Sequence, residues 1–433
     1  MSPARLLYSA VVYAAVPYAL WRLARRGGSW RQLFGWAPPS LTNAPVVWLH
    51  AVSVGEATAA AGLIDELKKT GCNLTLTHTT AAGGDWLRRH HGDSATICAL
   101  PLDLPGATTR FIRRIRPQLA IIMEAEYWPN LLTAAQHSGA RLLLANARLG
   151  HTNARRYTFP LIKQLMYEMV ARFDTIAAQT CADARRLIFF GGRCVHTLGN
   201  LKFDRTIDAK QTQVGKNWKQ QQSCGKSILL IAGTRAGEEK LLLDAMTDDF
   251  LANYYIIWAP RHPPRGDEIA ALLRTRKLSL GRRTTGDEPD ATQQIYLADT
   301  LGEMDTWYAC CDVALIGGSF LPFGGQNPIE AMAAGVAAIV GPHTDNYTIL
   351  VRQAVRQEAL HQVATPAAAV QQAQRLLTNN VIRQRSAQMS QALCARHRGA
   401  LQKHITLALD LLNPYPIPKF DDEKYSTNKK HDA

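Results

Sequence analysis

The chain has 433 residues, which is two or three domains' worth of sequence. Apolar residues make up 47%, enough for large cores and against global disorder. The net charge of +14 favours an anionic partner, but no RNP-like, zinc-finger or helix-turn-helix signature accompanies it, so no nucleic acid is expected. The eight cysteines form no C-x-x-C pair and read as reduced thiols rather than a disulfide framework or a metal site.

The first segment, 1–26, holds the apolar run LLYSAVVYAAVPYALWRLA, broken only by Arg22 and followed by Arg25, Arg26 and Arg31. A bilayer span needs about 20 apolar residues, so the run is borderline. It reads as a single-pass anchor, an interfacial helix or a first core helix, and the basic cluster favours attachment to an anionic cytoplasmic leaflet. A cleaved signal peptide fits poorly, because the positive cluster follows the run and no A-x-A-like site comes after it.

Strand-like and helix-like runs then alternate. VVWLH (46–50), NLTLTHTT (73–80), LAIIM (119–123), RLLLANA (141–147) and DTIAAQ (174–179) are short apolar runs of the kind buried on both faces of a parallel sheet. The polar stretch 208–226 has no strand signal and reads as a linker. Beyond it SILLIAG (227–233), YYIIWAP (254–260), QIYLAD (294–299), DVALIGG (312–318) and VAAIVGP (336–342) restart the alternation. The pattern predicts an α/β protein with two doubly wound, Rossmann-like domains, 27–207 and 227–390, facing a cleft. A helix over 391–418 is expected to pack back toward the first domain, and 419–433 is a polar tail.

Four constellations carry chemistry. Glu56, in HAVSVGE, is the first acidic residue of the chain and stands where a strand hands over to a helix. Gly55 is expected to turn the backbone so that Glu56 points into the cleft, and the helix start to keep the carboxylate ionised until a bound acceptor desolvates it. The alternative is a plain first-turn acid. In MEAEYWPN, Glu124 and Glu126 share a face if the segment is extended; one holds a hydroxyl or cation and the other an arginine, or both belong to the scaffold. Lys202, in GNLKFD, is a cation that could stabilise a departing phosphate, or simply a solvated lysine.

The fourth constellation lies in the second half. Arg261 follows Pro260 at a strand end, in position to neutralise a phosphate. DTLGEM contributes Gly302, Glu303 and Met304 after another strand. In GGSFLPFGGQNPIEAMAAG, Asn327 is expected as helix N-cap, Pro328 at the first helical position and Glu330 at the third, serving either a capping box or a ligand. Arg88, Arg89, Arg110, Arg113, Arg114 and Arg116 make the first half basic and could meet acceptor phosphates or form a solvated face.

Together these passages resemble the 3-deoxy-D-manno-octulosonic acid (Kdo) transferases of Gram-negative bacteria. HAVSVGE, PLDLPGATTRF, IIMEAEYWPN, NARL, LKFD, PRHPPR, DTLGEM, GGSF, GGQNPIEA and GPHTDNY occur in the family's order across nearly the whole chain. The resemblance implies a GT-B glycosyltransferase, with an acceptor-binding first domain and a CMP-sugar-binding second domain. It implies inverting transfer of Kdo from CMP-Kdo to a lipid A precursor, lipid IVA, at the cytoplasmic face of the inner membrane, without a metal. Glu56 falls on the family's general base and Glu124 and Lys202 on stabilising positions. Pro260 and Arg261, Gly302 to Met304, and Asn327, Pro328, Ile329 and Glu330 fall on CMP-contacting segments. The chain departs from the family at Gln326, commonly His, at Gly233-Thr234-Arg235, usually S-T-H, and at Trp30–Gly35, which lacks an E-R-x-G-like element. Two other readings stand beside it: a sugar-nucleotide epimerase, and a non-catalytic membrane scaffold that binds nucleotide or acidic lipid.

Overall fold

A computed structural model describes residues 2–26, 29–36, 44–222, 225–288 and 292–412. The tail expected over 419–433 and Cys224 lie outside the described residues. The chain divides into two compact units, Met1–Arg205 with Gly399–Ala433, and Thr206–Arg398.

The first unit is built on a seven-stranded sheet. Its strands are β1 (Val46–His50), β2 (Asn73–His78), β3 (Thr96–Ala99), β4 (Leu119–Met123), β5 (Arg141–Ala147), β6 (Thr175–Ala178) and β7 (Val195–Thr197). They run parallel in the order β3-β2-β1-β4-β5-β6-β7, so Val47 pairs with Leu74 on one side and Leu119 on the other. All of β1 is buried because helices cover both faces of the sheet, which is why its sequence is a continuous apolar run. The helix Val54–Lys69 follows β1 and buries Ala57, Ala60, Leu63, Ile64 and Leu67 on one stripe. Chain order reverses direction between β1 and β4, which makes their carboxyl ends the switch point where such sheets take ligands.

The second unit repeats the plan. Its strands are β8 (Ile228–Thr234), β9 (Tyr255–Pro260), β10 (Leu280–Arg282), β11 (Ile295–Leu297), β12 (Val313–Ile316), β13 (Ala337–Val340) and β14 (Leu360–Gln362). The order is β10-β11-β9-β8-β12-β13-β14, again all parallel, with its switch point between β8 and β12. Trp48 on β1 and Trp258 on β9 are fully buried, each donating its indole N–H to a threonine hydroxyl on the adjoining strand (Thr77, 2.8 Å; Thr234, 3.1 Å).

Three sequence expectations are corrected. The apolar segment 1–26 is not one helix but two, Pro3–Ala14 and Val16–Arg26, and among the described residues no helix is long and apolar enough to cross a membrane. Pro17 has no N–H to give the carbonyl four residues earlier, so the ladder breaks there. The first helix docks on the body of its unit: Arg5 donates to Thr133 Oγ1 at 2.7 Å, and Asn130 donates to the buried Ser9 hydroxyl at 3.0 Å. The expected linker 208–226 contains a helix of the second unit, Ala209–Gln222. Its Trp218 ring packs against Tyr255 and Trp307, and Gly215 lies so close to the Thr306 carbonyl that a Cβ there would sit 2.2 Å from it. Residues 391–398 do not join a returning helix but finish Asn380–His397 of the second unit; Gly399, at φ 99°, makes the break before Ala400–Leu412.

Candidate active site

In the first unit Glu56 stands on the opening turn of Val54–Lys69, past the carboxyl end of β1, and its carboxylate accepts the Val52 N–H at 2.8 Å. Gly55 plays a different part from the one expected. Its φ is not positive, and the nearest atom to a Cβ built there is Ser53 Oγ at 3.9 Å, so it leaves open space rather than making a turn. Burial raises the Glu56 pKa from 4.5 to about 8, the Glu124 charge adds to the rise, the Val52 N–H opposes it, Glu126 raises it further and Lys202 lowers it. Desolvation by the protein itself therefore outweighs the helix start, before any acceptor arrives.

Glu124 is the residue after β4, and it sits in the left-handed region at φ 56°. The strain is held from both sides: its N–H donates to the Ala145 carbonyl at 2.9 Å and its carbonyl accepts from Arg148 at 3.2 Å. The segment is therefore a turn and not the extended stretch expected. The Lys202 ammonium donates to Glu124 Oε1 at 2.7 Å, with both side chains less than a fifth exposed. Glu126 accepts the Trp128 indole N–H at 2.9 Å. Thus Glu56, Glu124 and Lys202, distant in sequence, are brought within electrostatic reach of one another by the ends of β1 and β4 and by the turn Leu201–Asp204.

Sequence reasoning did not find two neighbours. His50 is fully buried with Nδ1 2.9 Å from Thr77 Oγ1, while its Nε2 has no hydrogen-bond partner and lies 3.8 Å from Glu126. Asn146, the last residue but one of β5, is in the left-handed region. Asn inside an apolar strand run was the only signal for it. Among the expected basic residues, Arg88 pairs with Asp85 at 2.7 Å, and Arg110 donates to the Phe34 carbonyl at 2.7 Å while lying over the Trp36 ring.

In the second unit the expected residues gather beyond the carboxyl ends of β9, β11 and β12. Pro260 closes β9; the Arg261 N–H donates to the Thr234 carbonyl at 3.0 Å and its side chain is exposed. Gly302 has φ 87° and its carbonyl accepts from Gln211 at 2.8 Å; Glu303 is paired with Arg283 at 2.9 Å; Met304 opens Met304–Cys310. The helix after β12 begins at Ile329, one residue later than expected, and runs only to Ala333. Asn327 Oδ1 accepts the Ile329 N–H at 3.1 Å and its amide lies 3.4 Å from Glu330 Oε1, so these side chains do serve the helix start.

The framework of this loop comes from Glu238, which has no exposed surface. Its carboxylate accepts the N–H groups of Arg235 (2.9 Å), Gly318 (2.6 Å) and Phe320 (2.8 Å), pinning the Gly-rich turn to the loop after β8. Gln326 fills the space beside Gly233, where a Cβ would come within 2.9 Å of its Cγ. Arg235 lies over the Phe323 ring with its centre 5.1 Å away. Two of the chain's departures from the family pattern, Gln326 and Gly233 to Arg235, are therefore structural neighbours.

Comparison with solved structures shows the architecture. A glycosyltransferase from Rickettsia africae matches with a TM-score of 0.55 at 11% identity over 86% of this chain and 100% of that one. UDP-GlcNAc 2-epimerase from Neisseria meningitidis matches with a TM-score of 0.56 at 14% identity over 84% of this chain and 99% of that one. These likenesses define a two-domain fold of the GT-B kind, which transferases and an epimerase share. Sequence comparison separates them. The family model for 3-deoxy-D-manno-octulosonic-acid transferase matches residues 28–205. The Bordetella pertussis 3-deoxy-D-manno-octulosonic acid transferase is 37% identical over 412 residues, covering 91% of this chain and 95% of that protein. The Haemophilus influenzae transferase is 34% identical over 385 residues, covering 85% and 87%. The chain belongs to the 3-deoxy-D-manno-octulosonic acid transferase family.

Proposed function

We propose that this enzyme moves Kdo from CMP-Kdo to a lipid A precursor during assembly of the lipopolysaccharide core, with Glu56 as general base. The acceptor hydroxyl oxygen forms a bond to the anomeric carbon of Kdo as the bond from that carbon to the CMP phosphate oxygen breaks. The hydroxyl proton passes to the Glu56 carboxylate, and the electron pair leaves with CMP. Attack opposite the leaving group inverts the anomeric centre. Lys202, braced by Glu124, offers positive charge to the phosphate as it departs. On the second unit Pro260-Arg261, Gly302 to Met304 and Asn327 to Glu330 hold CMP. The reaction written this way calls for no metal.

The observation that carries the reading is the convergence of Glu56, Glu124 and Lys202 in one electrostatic cluster at the switch point of the first sheet. A general base works best with a pKa near the operating pH, and burial has moved Glu56 into that range. The test is mass spectrometry of lipid IVA after incubation with the enzyme and CMP-Kdo. One or more added Kdo masses with release of CMP are expected; CMP binding without any lipid adduct would remove the proposal.

The acceptor's acyl chains call for contact with the cytoplasmic leaflet of the inner membrane, and the first unit has a surface that suits it. Leu7, Val11 and Trp21 of the N-terminal helices are exposed, as are Phe159 and, on the helix Pro160–Val170 that packs beside Pro3–Ala14, Leu161. Arg155 and Arg156, shortly before Phe159 in the chain, and Lys163, on the same helix as Leu161, are exposed as well. Apolar area bordered by cations is what an interfacial, non-spanning attachment to anionic lipid requires.

A further inference from the structure

We propose that Asn146 is a positioning residue for the transfer: its carboxamide sets the Lys202–Glu124 pair, and His404, on the helix Ala400–Leu412, fixes Asn146 in place. The proposal rests on the role given above to Lys202 and Glu124.

Asn146 has no exposed surface, and every hydrogen-bonding group it owns is engaged. Its N–H donates to His404 Nε2 at 3.0 Å, and its carbonyl accepts from Gln179 Nε2 at 2.9 Å. Its Oδ1 accepts the Leu201 N–H at 3.0 Å, and its Nδ2 lies 3.4 Å from Glu124 Oε1. A second route reaches the same turn. Gln179 Oε1 accepts from Asn200 Nδ2 at 3.1 Å, and Asn200 Oδ1 accepts the Lys202 N–H at 3.0 Å. The hydrogen bonds close a ring, Asn146 to Gln179 to Asn200 to the Leu201-Lys202 backbone and back to Asn146. Lys202 is thereby hung from the ends of β5 and β6, while the same carboxamide touches the carboxylate that Lys202 pairs with.

The residue type is informative. A left-handed φ of 51° suits Asn or Gly. Gly would supply the turn but neither side-chain bond. Asp would keep the acceptor, lose the donor and set a second negative charge beside Glu124; Leu would lose both. Only the carboxamide offers an acceptor to the Leu201 N–H and a donor to Glu124 from one place.

His404 also has no exposed surface, and its Nδ1 lies 2.7 Å from the Ala400 carbonyl. That contact puts the proton on Nδ1 and leaves Nε2 as the acceptor for Asn146. Burial lowers the His404 pKa to about 4, so the acceptor form persists at neutral pH. Asp204, two residues after Lys202, accepts the N–H groups of Gly399 (2.7 Å) and Leu401 (2.8 Å), which locks the start of Ala400–Leu412 onto the turn carrying Lys202. The returning helix is thus part of the frame of the site.

The test uses the full chain, with steady-state kinetics on CMP-Kdo and lipid IVA and with kcat normalised to the folded fraction at the assay temperature, read from each variant's melting curve. Asn146→Gly keeps the left-handed turn and removes the carboxamide. A kcat lower by about 10- to 100-fold, with KM for CMP-Kdo within twofold, is expected, because a misplacement of about 1 Å costs on that order. His404→Leu should lower kcat in the same way, and His404→Gln, which keeps an acceptor, should restore most of it. A purely structural role would reduce the folded fraction and leave the normalised kcat alone. Asn146→Gly within twofold of the wild-type kcat, beside an impaired Lys202→Ala, overturns the proposal by itself. Lys202→Ala at the wild-type rate overturns the role of the pair and this proposal with it. If Asn146→Gly does not fold, equal kcat in the Leu and Gln variants of His404 is the overturning result.

Discussion

Replacing Glu56 by Gln probes the proposed base most directly, because Gln keeps the shape and can still accept the Val52 N–H but takes no proton. With a pKa of about 8, about 1% of Glu56 is ionised at pH 6 and about 90% at pH 9, so wild-type kcat/KM should climb nearly 100-fold across that interval. General-base catalysis contributes about 10²- to 10⁴-fold, so the Gln variant should fall by that factor at pH 9 and lose the limb near pH 8. The same shift sets the sign of a stability effect. The folded pKa lies above the unfolded value of 4.5, so the protonated carboxyl stabilises the fold fully below about pH 4.5, and that contribution is lost as pH rises through about 8. The whole shift is worth at most about 5 kcal/mol. Glu56→Gln should therefore melt above wild type at pH 9 and close to it at pH 4.5. The assay is release of CMP over pH 5.5–9.5 with lipid IVA as acceptor, with thermal melts in the same buffers. A Gln variant at the wild-type rate, or one retaining the limb near pH 8, would refute the assignment.

Four further outcomes are expected. Arg261→Ala should weaken CMP binding about tenfold, the scale of one charge-assisted contact; equal affinity by calorimetry would remove Arg261 from the donor site. Glu238→Ala leaves three loop N–H groups without their acceptor and should cost about 2–4 kcal/mol, read as an earlier thermal transition. Trp218→Ala should destabilise the second unit by about 3–5 kcal/mol if Ala209–Gln222 is integral to it; an unshifted transition would make that helix dispensable. Trp21→Ser combined with Phe159→Ser should lower binding to anionic vesicles at least tenfold in sedimentation assays, and salt should weaken the wild-type interaction. Undiminished vesicle binding would place the membrane contact elsewhere.

What was legible in the sequence follows from burial. The central strands β1, β4, β5, β8, β9 and β12 are covered on both faces, so each is a continuous apolar run that announces itself. The strands that escaped notice, β3, β7, β10 and β14, are the edges of the two sheets. They are three or four residues long and only partly buried, as in VHT and LHQ, and carry no such run. The helix Ala209–Gln222 reads as a linker for a related reason: its buried positions are Gly215 and Trp218, a single large apolar side chain, and most of its other residues are polar.

The sequence by itself determined the α/β alternation, the two doubly wound units and, through long ordered motifs, the family. It also supplied the site residues as types, because a carboxylate or lysine at a strand end is visible in one dimension. Only the tertiary structure decided what those residues can do. The Glu56 carboxyl is pushed up to about 8 because packing removes water from it and sets Glu124 nearby, and neither effect is local in sequence. Asn146 and His404 lie 258 positions apart, and no periodicity signals their hydrogen bond. The apolar N-terminal run took the form of two short helices, the first of them docked, because a proline broke the ladder and Thr133 and Asn130 offered partners to the first, contacts that exist only once the chain has folded.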